Sequence, residues 1–359
     1  MGSIFDDMLA DDERLFLNEA ALSYEYVPKL LPYREIQQKK IASCIAPLFS
    51  QRGGRNIVVF GPPGVGKTVA TKHILNEIEE KTDQIIPLYV NCWKKNTSYK
   101  VILELCNLIE YKFTHNKKTD ELFDIVATML NKFSVVFVFD EIDKADDLDF
   151  LYLILEKIKQ KSIVLLTNYK DAILTIDTRI RSRLTPELLE FRPYSLEETT
   201  GILKQRVDLA FVPKVWHTNA FDDIAKKTFE LQDIRSGLYL LKEAGLLAEE
   251  KSLRQITQTQ AKEALAKIED FKIKSTTDLA KETQVILDII KKHSPAKIGD
   301  LYKLYDSQFR GEMSYKTFTR KITKLAEGKY ILVQKTSGGI EGNTSIITYN
   351  ANVKTLDEY

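Results

Sequence analysis

Short apolar runs and helical stripes alternate along the first half of this chain. The runs at 56–60, 135–139 and 162–167 are rich in β-branched and aromatic residues, which is typical of buried strands in a parallel sheet. The segment 69–78 instead carries apolar residues at the spacing of a helix with one buried face. Strands that alternate with helices predict an α/β domain with a parallel sheet.

The middle of the chain, from 194 to about 270, predicts consecutive helices. Ser195 and Glu198 have the spacing of a capping box, in which each side chain holds the backbone N–H of the other residue. The first helix then continues as an apolar stripe made of Ile202, Leu203, Val207 and Phe211. The polar segment 271–278 is interpreted as a linker to a further domain.

The C-terminal part predicts three helices followed by a β-hairpin. The first helix ends at His293, the second covers 298–309, and the third starts at Ser314. Strands at 330–335 and 344–349 flank a glycine-rich turn. Three helices and a hairpin in this order are typical of a winged-helix domain.

The third of these helices predicts an apolar face and a basic face opposite to it. The apolar face holds Tyr315, Phe318, Ile322 and Leu325, and the opposite face holds Lys316, Thr317, Arg320 and Lys324. A recognition helix enters the major groove, where such residues contact phosphates or base edges. A solvated face of an ordinary helix is also charged, so the hairpin is what favours DNA binding. Lys335, which precedes the glycine-rich turn of the hairpin, is a further candidate contact.

Length, charge and cysteine content narrow the possible classes of protein. A chain of 359 residues is long enough for two or three domains, and its formal net charge of +1 gives no strong overall field. From Phe271 onward, 15 Lys or Arg stand against 10 Asp or Glu, which makes this end basic. The three cysteines lack metal-ligand spacing, and neither a secretory signal nor a run of about 18 apolar residues is visible. We therefore expect a cytoplasmic protein without a membrane partner.

A glycine-rich loop joins the first predicted strand to a helix. It consists of Gly61, Pro62, Pro63, Gly64, Val65, Gly66, Lys67 and Thr68. A strand, a glycine loop and a helix in this order are the context that a phosphate-binding P-loop requires. Glycines let backbone N–H groups turn toward phosphate, Lys67 would reach the β- and γ-phosphates, and Thr68 would ligate Mg²⁺. The sequence therefore predicts ATP or ADP with Mg²⁺ as cofactors.

Polar side chains follow the other two predicted strands. Asp140 comes after the run 135–139 and would hold Mg²⁺ or its water, and Glu141 is placed to orient or deprotonate the attacking water. Asn168 ends the third strand. It could bridge the γ-phosphate and that water, or it could simply be a turn residue.

These motifs resemble the AAA+ class, and within it the Orc/Cdc-type origin-recognition initiators, especially archaeal ones. The segment 140–143 and Asn168 match the Walker B and sensor 1 positions of that family. The segment 26–35 resembles the part that wraps the adenine, and Tyr33 stands where a His is more usual. The resemblance therefore adds nucleotide contacts at Val27, Pro28, Tyr33, Arg34 and Val69.

Two arginine-bearing segments also resemble this family. The segment 178–184 resembles the box that supplies an arginine finger to a neighbour's ATP, with Arg183 as the preferred finger and Arg179 as its companion. It could also be the solvated basic end of an ordinary helix. The segment 231–241 resembles the sensor 2 helix, from which Arg235 would reach the γ-phosphate. Gln232 departs from the Gly that is usual there. The resemblance thus implies a catalytic set made of Glu141, Asn168, Arg183 and Arg235.

The resemblance implies three domains: an AAA+ core at 1–193, a helical lid at 194–275 and a winged helix at 276–359. It implies a slow ATPase that initiates DNA replication, with nucleotide state as a switch. The implied partners are origin duplex DNA, paralogous initiator subunits and the replicative helicase. Lys94 and Lys95, after the family's second strand, are a further candidate DNA contact or simply part of a solvated loop.

Two other classes of protein would share part of these features. A clamp-loader or helicase-loader subunit would keep the nucleotide motifs but would not need the winged helix. An ATP-sensing transcription regulator would keep both and would bind a promoter instead of an origin. A degenerate paralogue would trap nucleotide without hydrolysis, but the intact Lys67, Asp140, Glu141 and Arg235 argue against loss of nucleotide binding.

Overall fold

The computed structural model describes residues 14–277, 281–309, 313–327, 330–336 and 344–350 of the chain. The chain divides into two compact units after Leu265. The first unit contains a parallel sheet and its helices, followed by a group of further helices. The second contains three helices and a small sheet. Within the described ranges, no helix is long and apolar enough to cross a membrane.

A five-stranded parallel sheet forms the centre of the first unit. Its strands are β1 (Ile57–Phe60), β2 (Ile85–Asn91), β3 (Ser134–Asp140), β4 (Lys161–Thr167) and β5 (Glu187–Glu190). They are arranged in the order β2-β3-β4-β1-β5. The three runs predicted as strands correspond to β1, β3 and β4, which confirms the predicted α/β core.

Six α-helices of the described residues belong to this sheet domain. They are α1 (Glu35–Ile45), α2 (Lys67–Lys81), α3 (Ser98–Leu108), α4 (Thr119–Leu130), α5 (Asp149–Lys157) and α6 (Thr178–Leu184). Phe137 and Phe139 of β3 pack with α3, α4 and α5, whereas Val136 and Val138 pack with α1 and α2 on the opposite face. The sheet is thus covered on both faces, and ligands bind such sheets at the carboxyl ends of the strands.

The next four α-helices in the described part of the chain are α7 (Leu196–Ala210), α8 (Thr218–Leu231), α9 (Ile234–Glu250) and α10 (Gln258–Thr277). We call α7 to α10, up to Leu265, the lid. The predicted capping box starts α7, with Ser195 Oγ accepting from Glu198 N at 3.1 Å and Glu198 Oε2 accepting from Ser195 N at 2.9 Å. The linker prediction for 271–278 was wrong over most of its length, since α10 continues to Thr277. Lys, Glu and Ala are strong helix formers, so they support this helix without a pronounced apolar stripe.

The segment before the sheet is held by the lid. Phe16 forms an isolated antiparallel bridge with Phe211, and the two ring centroids lie 4.6 Å apart. Leu15 N donates a hydrogen bond to Glu249 Oε1 of α9 at 2.6 Å. The chain therefore packs against the lid before it enters the sheet domain.

The second unit has the predicted three helices and hairpin. Its elements are α11 (Lys281–His293), β6 (Ala296–Lys297), α12 (Ile298–Phe309), α13 (Tyr315–Glu327), β7 (Ile331–Thr336) and β8 (Thr344–Tyr349). The short strand β6, which the sequence pattern does not reveal, pairs with β8 to give the antiparallel order β6-β8-β7. This order of elements is the one from which the winged-helix domain was predicted. The turn residues 337–343 lie outside the described residues.

The apolar face of α13 differs from the prediction at its first residue. Phe318, Ile322 and Leu325 are buried, as expected, but Tyr315 is 47% exposed. Its ring meets Tyr302 edge-on, with the centroids 5.1 Å apart. Tyr315 begins the helix, so it lies at the margin of the core instead of inside it.

Candidate nucleotide-binding site

The glycine-rich loop joins β1 to α2, and its backbone conformation requires glycine. Gly64 and Gly66 have φ angles of 78° and 90°, in the left-handed region. A Cβ on Gly64 would overlap the Asp233 carboxylate, and one on Gly66 would overlap the Tyr194 hydroxyl. Gly66 is also the N-cap of α2, so the first N–H groups of that helix are available to an anion.

The ammonium group of Lys67 is held in place by three hydrogen bonds. Its Nζ donates to the backbone oxygens of Gly61 and Pro62 at 2.7 and 2.9 Å. It also donates to Asn168 Oδ1 at 2.9 Å. Burial lowers the pKa of Lys67 to about 8, although the charge of Asp140 acts in the opposite direction. A buried cation is stabilised by a counter-charge, so the loop favours an anionic ligand such as phosphate.

Three hydrogen bonds fix the buried carboxylate of Asp140. Thr68 Oγ1 and the Tyr89 hydroxyl both donate to its Oδ2, each at 2.7 Å. Glu141 N donates to its Oδ1 at 2.9 Å. A hydroxyl and a carboxylate beside a phosphate loop are oxygen donors of the kind that Mg²⁺ takes together with ligand phosphates. Thr68 and Asp140 therefore fit a Mg²⁺ site.

Glu141 follows β3 in a left-handed conformation, with φ of 54°, which is uncommon for a residue other than glycine. Asn91 Nδ2 donates to its Oε2 at 3.3 Å. Sequence reasoning assigned neither Tyr89 nor Asn91 to this site. They are alternate residues of β2, and the β2–β3 register places Asn91 opposite Asp140. The sequence signal that could have identified them is their spacing of two residues, which places both polar groups on the same face of β2.

Asn168 lies directly after β4, where its Oδ1 accepts the hydrogen bond from Lys67. On the same strand end, Thr167 Oγ1 donates to Asp143 Oδ1 at 2.9 Å. A side-chain hydrogen bond thus joins the end of β4 to the turn that follows β3. Asn168 stands beside the P-loop lysine, where a side chain can reach a terminal phosphate.

A cavity extends from this polar end between the P-loop, the lid and the N-terminal segment. Of the predicted nucleotide residues, its wall contains Val27, Pro28, Pro63, Gly64, Gly66, Lys67, Thr68, Val69, Asp140, Glu141, Asn168 and Arg235. The wall also contains apolar side chains, among them Leu31, Ile202 and Leu238. A wall that combines apolar side chains with a phosphate-binding loop suits the base and the phosphates of a nucleotide.

Five predicted nucleotide residues do not line this cavity: Tyr33, Arg34, Gly61, Pro62 and Val65. Arg34 is buried behind the loop, where its Nε donates to Val65 O at 3.2 Å and its Nη2 donates to Arg192 O at 2.6 Å. Its guanidinium carbon lies 3.8 Å from the centroid of the Tyr194 ring. Arg34 therefore supports the P-loop from behind, instead of facing the cavity.

Arg235 reaches the cavity from the start of α9. Its Nη2 lies 2.8 Å from Asp233 Oδ2, and Asp233 Oδ1 accepts from Arg235 N at 2.9 Å. The preceding Gln232 has a φ of 54°, a left-handed conformation that glycine adopts with less strain. The lid thus brings a guanidinium to the phosphate end of the cavity.

The predicted finger arginines lie elsewhere on the surface. Arg183 pairs with Glu156 Oε1 at 3.2 Å and lies over the Tyr152 ring at 4.8 Å. Arg179, 80% exposed in its side chain, pairs with Asp177. Neither arginine lines the chain's own cavity, which is compatible with a function toward a neighbouring molecule.

The predicted DNA contacts lie in both units. Lys316 and Arg320 are exposed on α13, and Thr317 is half-buried. The side chains of Lys324 and Lys335 lie outside the described residues. In the first unit Lys94 is exposed, whereas Lys95 pairs with Glu104 at 2.8 Å.

Comparisons with known proteins agree with this architecture. The AAA domain family model matches residues 51–170, and the Cdc6 AAA+ ATPase-type lid domain matches residues 200–266. The "ORC1-type DNA replication protein 1" of Sulfurisphaera tokodaii is 30% identical over 330 residues, which cover 85% of this chain and 82% of the relative. The corresponding protein of Desulfurococcus amylolyticus is 27% identical, over 97% of this chain and 95% of its own.

Solved structures show the same fold. The Aeropyrum pernix ORC1 protein, solved in complex with DNA, is similar with a TM-score of 0.71 at 23% identity, over 93% of this chain and 94% of its own. The Aeropyrum pernix ORC2 protein with ADPNP and ADP gives a TM-score of 0.67 at 16% identity, with the same coverage of both chains. Fold, nucleotide motifs and whole-length sequence similarity lead to one conclusion: the chain belongs to the family of ORC1-type DNA replication proteins, with an AAA+ ATP-binding core.

Proposed function

We propose that this chain is an ATP-dependent initiator of DNA replication, which binds origin duplex DNA and helps to recruit the replicative helicase. One observation carries the proposal: the same chain has a phosphate site around Lys67 and a helix, α13, with exposed basic side chains. Relatives that bear the name of DNA replication proteins, and the Aeropyrum pernix structure with DNA, support it.

The nucleotide chemistry follows from the polar end of the cavity. Lys67 would balance the charge of the β- and γ-phosphates, while Mg²⁺ held by Thr68 and Asp140 would add positive charge at the same oxygens. Glu141, held by Asn91, would orient or deprotonate the attacking water. Because Arg183 would act on a neighbour's nucleotide, a single chain is expected to hydrolyse ATP slowly.

The lid would convert nucleotide state into a change of conformation. Arg235 pairs with Asp233, and a γ-phosphate would offer a competing and more strongly charged acceptor. ATP and ADP differ in that group, so they would differ in how strongly they draw α9 toward the P-loop. Binding that favours one conformation shifts the population toward it.

DNA binding would rest on α13 in the second unit. Lys316 and Arg320 are free of the apolar core, which Phe318 and Ile322 occupy on the opposite side of the helix. Such a helix can enter a major groove with its basic face toward phosphates and base edges. Paralogous initiator subunits would be the neighbours that receive the Arg183 side chain.

The proposal is tested by the binding of a duplex that carries a replication origin, over a series of salt concentrations and with ATP or ADP. The test variant is Lys316→Ala/Arg320→Ala. The matched control, Lys292→Ala/Lys303→Ala, removes the same formal charge from exposed positions of α11 and α12. Two lost phosphate contacts should lower the slope of log K against log salt by roughly 2.

We expect the test variant to bind origin DNA more weakly and with this shallower slope, and the control to bind like the wild type. Equal binding by the wild type and the test variant would contradict the function of α13 in DNA recognition. It would favour the clamp-loader or helicase-loader alternative, in which this domain contacts protein.

A further inference from the structure

The hydroxyl of Tyr89 contacts the acidic end of β3 from a neighbouring strand. Tyr89 lies on β2, two residues before Asn91, and its ring packs against the core between the sheet and α1 and α2. The hydroxyl donates to Asp140 Oδ2 at 2.7 Å. The same oxygen accepts from Thr68 Oγ1 at 2.7 Å, so both hydroxyls converge on one carboxylate oxygen.

The orientation of the Asp140 carboxylate is therefore fixed from three elements. Tyr89 comes from β2, Thr68 from α2, and Glu141 N from the turn after β3. Of these three donors, Thr68 is itself expected to bind Mg²⁺, and the backbone N–H of Glu141 holds the other carboxylate oxygen. The Tyr89 hydroxyl is thus the side-chain donor that can hold Oδ2 while Thr68 serves the metal.

Groups that hold a metal ligand in place affect metal affinity although they do not touch the metal. We propose that Tyr89 is a positioning residue, which holds the Asp140 carboxylate in the orientation that Mg²⁺-nucleotide requires. This inference rests on the proposed ATP and Mg²⁺ chemistry of the same site. The ring supplies packing, which phenylalanine would retain, and the hydroxyl supplies the function.

The test uses the full chain, with a fluorescent ATP analogue and Mg²⁺ as probes. Binding is measured first in EDTA and then as Mg²⁺ is added, for the wild type, Tyr89→Phe and the control Tyr152→Phe. The control removes a hydroxyl that donates to Glu156 on α5, away from the cavity. Thermal unfolding in EDTA monitors the folding of each variant.

We expect Tyr89→Phe to bind nucleotide in EDTA like the wild type and to need about tenfold more Mg²⁺ for half-saturation. Tyr152→Phe should match the wild type in nucleotide binding in EDTA and in the Mg²⁺ concentration for half-saturation. In the Asp140→Asn background the Tyr89→Phe effect should disappear, because the hydroxyl acts through that carboxylate. A merely structural contribution would lower the melting temperature and leave the Mg²⁺ requirement unchanged.

The outcomes separate this inference from the proposed function. If the wild type responds to Mg²⁺ and Tyr89→Phe has the same half-saturation, the positioning function of Tyr89 is wrong and the Mg²⁺ site stands. If nucleotide binding by the wild type does not respond to Mg²⁺, the Mg²⁺ site and the function of Tyr89 both fail. An undiminished Tyr89→Phe effect in the Asp140→Asn background would also overturn the positioning function of Tyr89.

Discussion

Arg235 and Asp233 form an ion pair on the lid side of the nucleotide cavity, with Nη2 and Oδ2 2.8 Å apart. The Asp233 carboxylate also lies so close to Gly64 of the P-loop that a Cβ there would overlap it. The lid therefore contacts the loop through a group of the same charge as a phosphate. An anion in the loop would compete with Asp233 for the Arg235 guanidinium.

Replacement of Arg235 by Ala should lower the affinity for ATP about tenfold or more and the affinity for ADP much less. A hydrogen bond between charged groups contributes about 1.5–3 kcal/mol, and only ATP offers the terminal phosphate. Direct binding of both nucleotides measures this. Arg254→Ala, an exposed arginine after α9, is the control and should change neither affinity. Equal losses for ATP and ADP would show that Arg235 does not sense the γ-phosphate.

Two glycines in helices should respond in opposite directions to Ala. A Cβ on Gly245 of α9 would overlap the Phe16 and Phe211 rings, so Gly245→Ala should destabilise the first unit by about 1–3 kcal/mol. A Cβ on Gly299 of α12 meets no atom within 4 Å, so Gly299→Ala should stabilise the second unit by about 0.5–1 kcal/mol. Calorimetric unfolding of both variants checks this, and a stabilised Gly245→Ala chain would refute the packing argument.

The ion pairs of Glu187 should make stability depend on pH. The hydrogen bond from Lys40, with the charge of Arg55, lowers the pKa of Glu187 below its ordinary value of 4.5. A lowered carboxyl pKa contributes stability above the ordinary value, and this contribution is lost as the pH falls through the folded-state value. Glu187→Gln should therefore cost about 0.2–1 kcal/mol at neutral pH, since the pairs are partly exposed.

The difference between wild type and Glu187→Gln should shrink as the pH is lowered below 4.5. Chemical unfolding at several pH values measures it. Glu190→Gln, on the same strand and paired with Arg192 at 3.6 Å, is the matched control and should show a smaller change. A Glu187→Gln penalty that stays constant into acid would mean that the pairs do not contribute.

Replacement of Arg183 by Ala should leave nucleotide binding by a dilute, single chain unchanged. Arg183 contacts Glu156 and Tyr152 and does not line the cavity of its own chain. An arginine finger contributes to the hydrolysis of a neighbour's ATP by a factor of about 10³ or more. We therefore expect the loss in ATP hydrolysis to appear only where chains associate, with Arg179→Ala as the comparison. Weakened nucleotide binding by dilute Arg183→Ala would contradict a function in trans.

The sequence predicts those parts of the site that are local in the chain. The P-loop and the Asp140-Glu141 pair lie within single strand-to-turn segments, and their residue types report their chemistry directly. Tyr89 and Asn91 could not be assigned, because their contacts depend on the β2–β3 register. Arg34 was expected to face the nucleotide, but its position relative to the loop depends on the packing of separate elements.

The elements of the fold that are local in the sequence could also be predicted, whereas those that depend on contacts with other elements could not. β1, β3 and β4 are continuous apolar runs and could be predicted, as could the helices and hairpin of the second unit. β5 could not, because Glu187 and Glu190 make this edge strand look polar. β6 has two residues and exists only through pairing with β8. The extent of α10 depends on helix propensity without a strong periodic signal.

The claim that this chain is a replication initiator is best tested by its affinity for origin duplex, relative to a scrambled duplex of equal length and base composition. The ratio is measured at one salt concentration, with ATP, with ADP and without nucleotide. A replication initiator controlled by nucleotide should prefer the origin by about 10³-fold or more, with a ratio that changes between ATP and ADP. Equal affinity for both duplexes in all three conditions would contradict the claim.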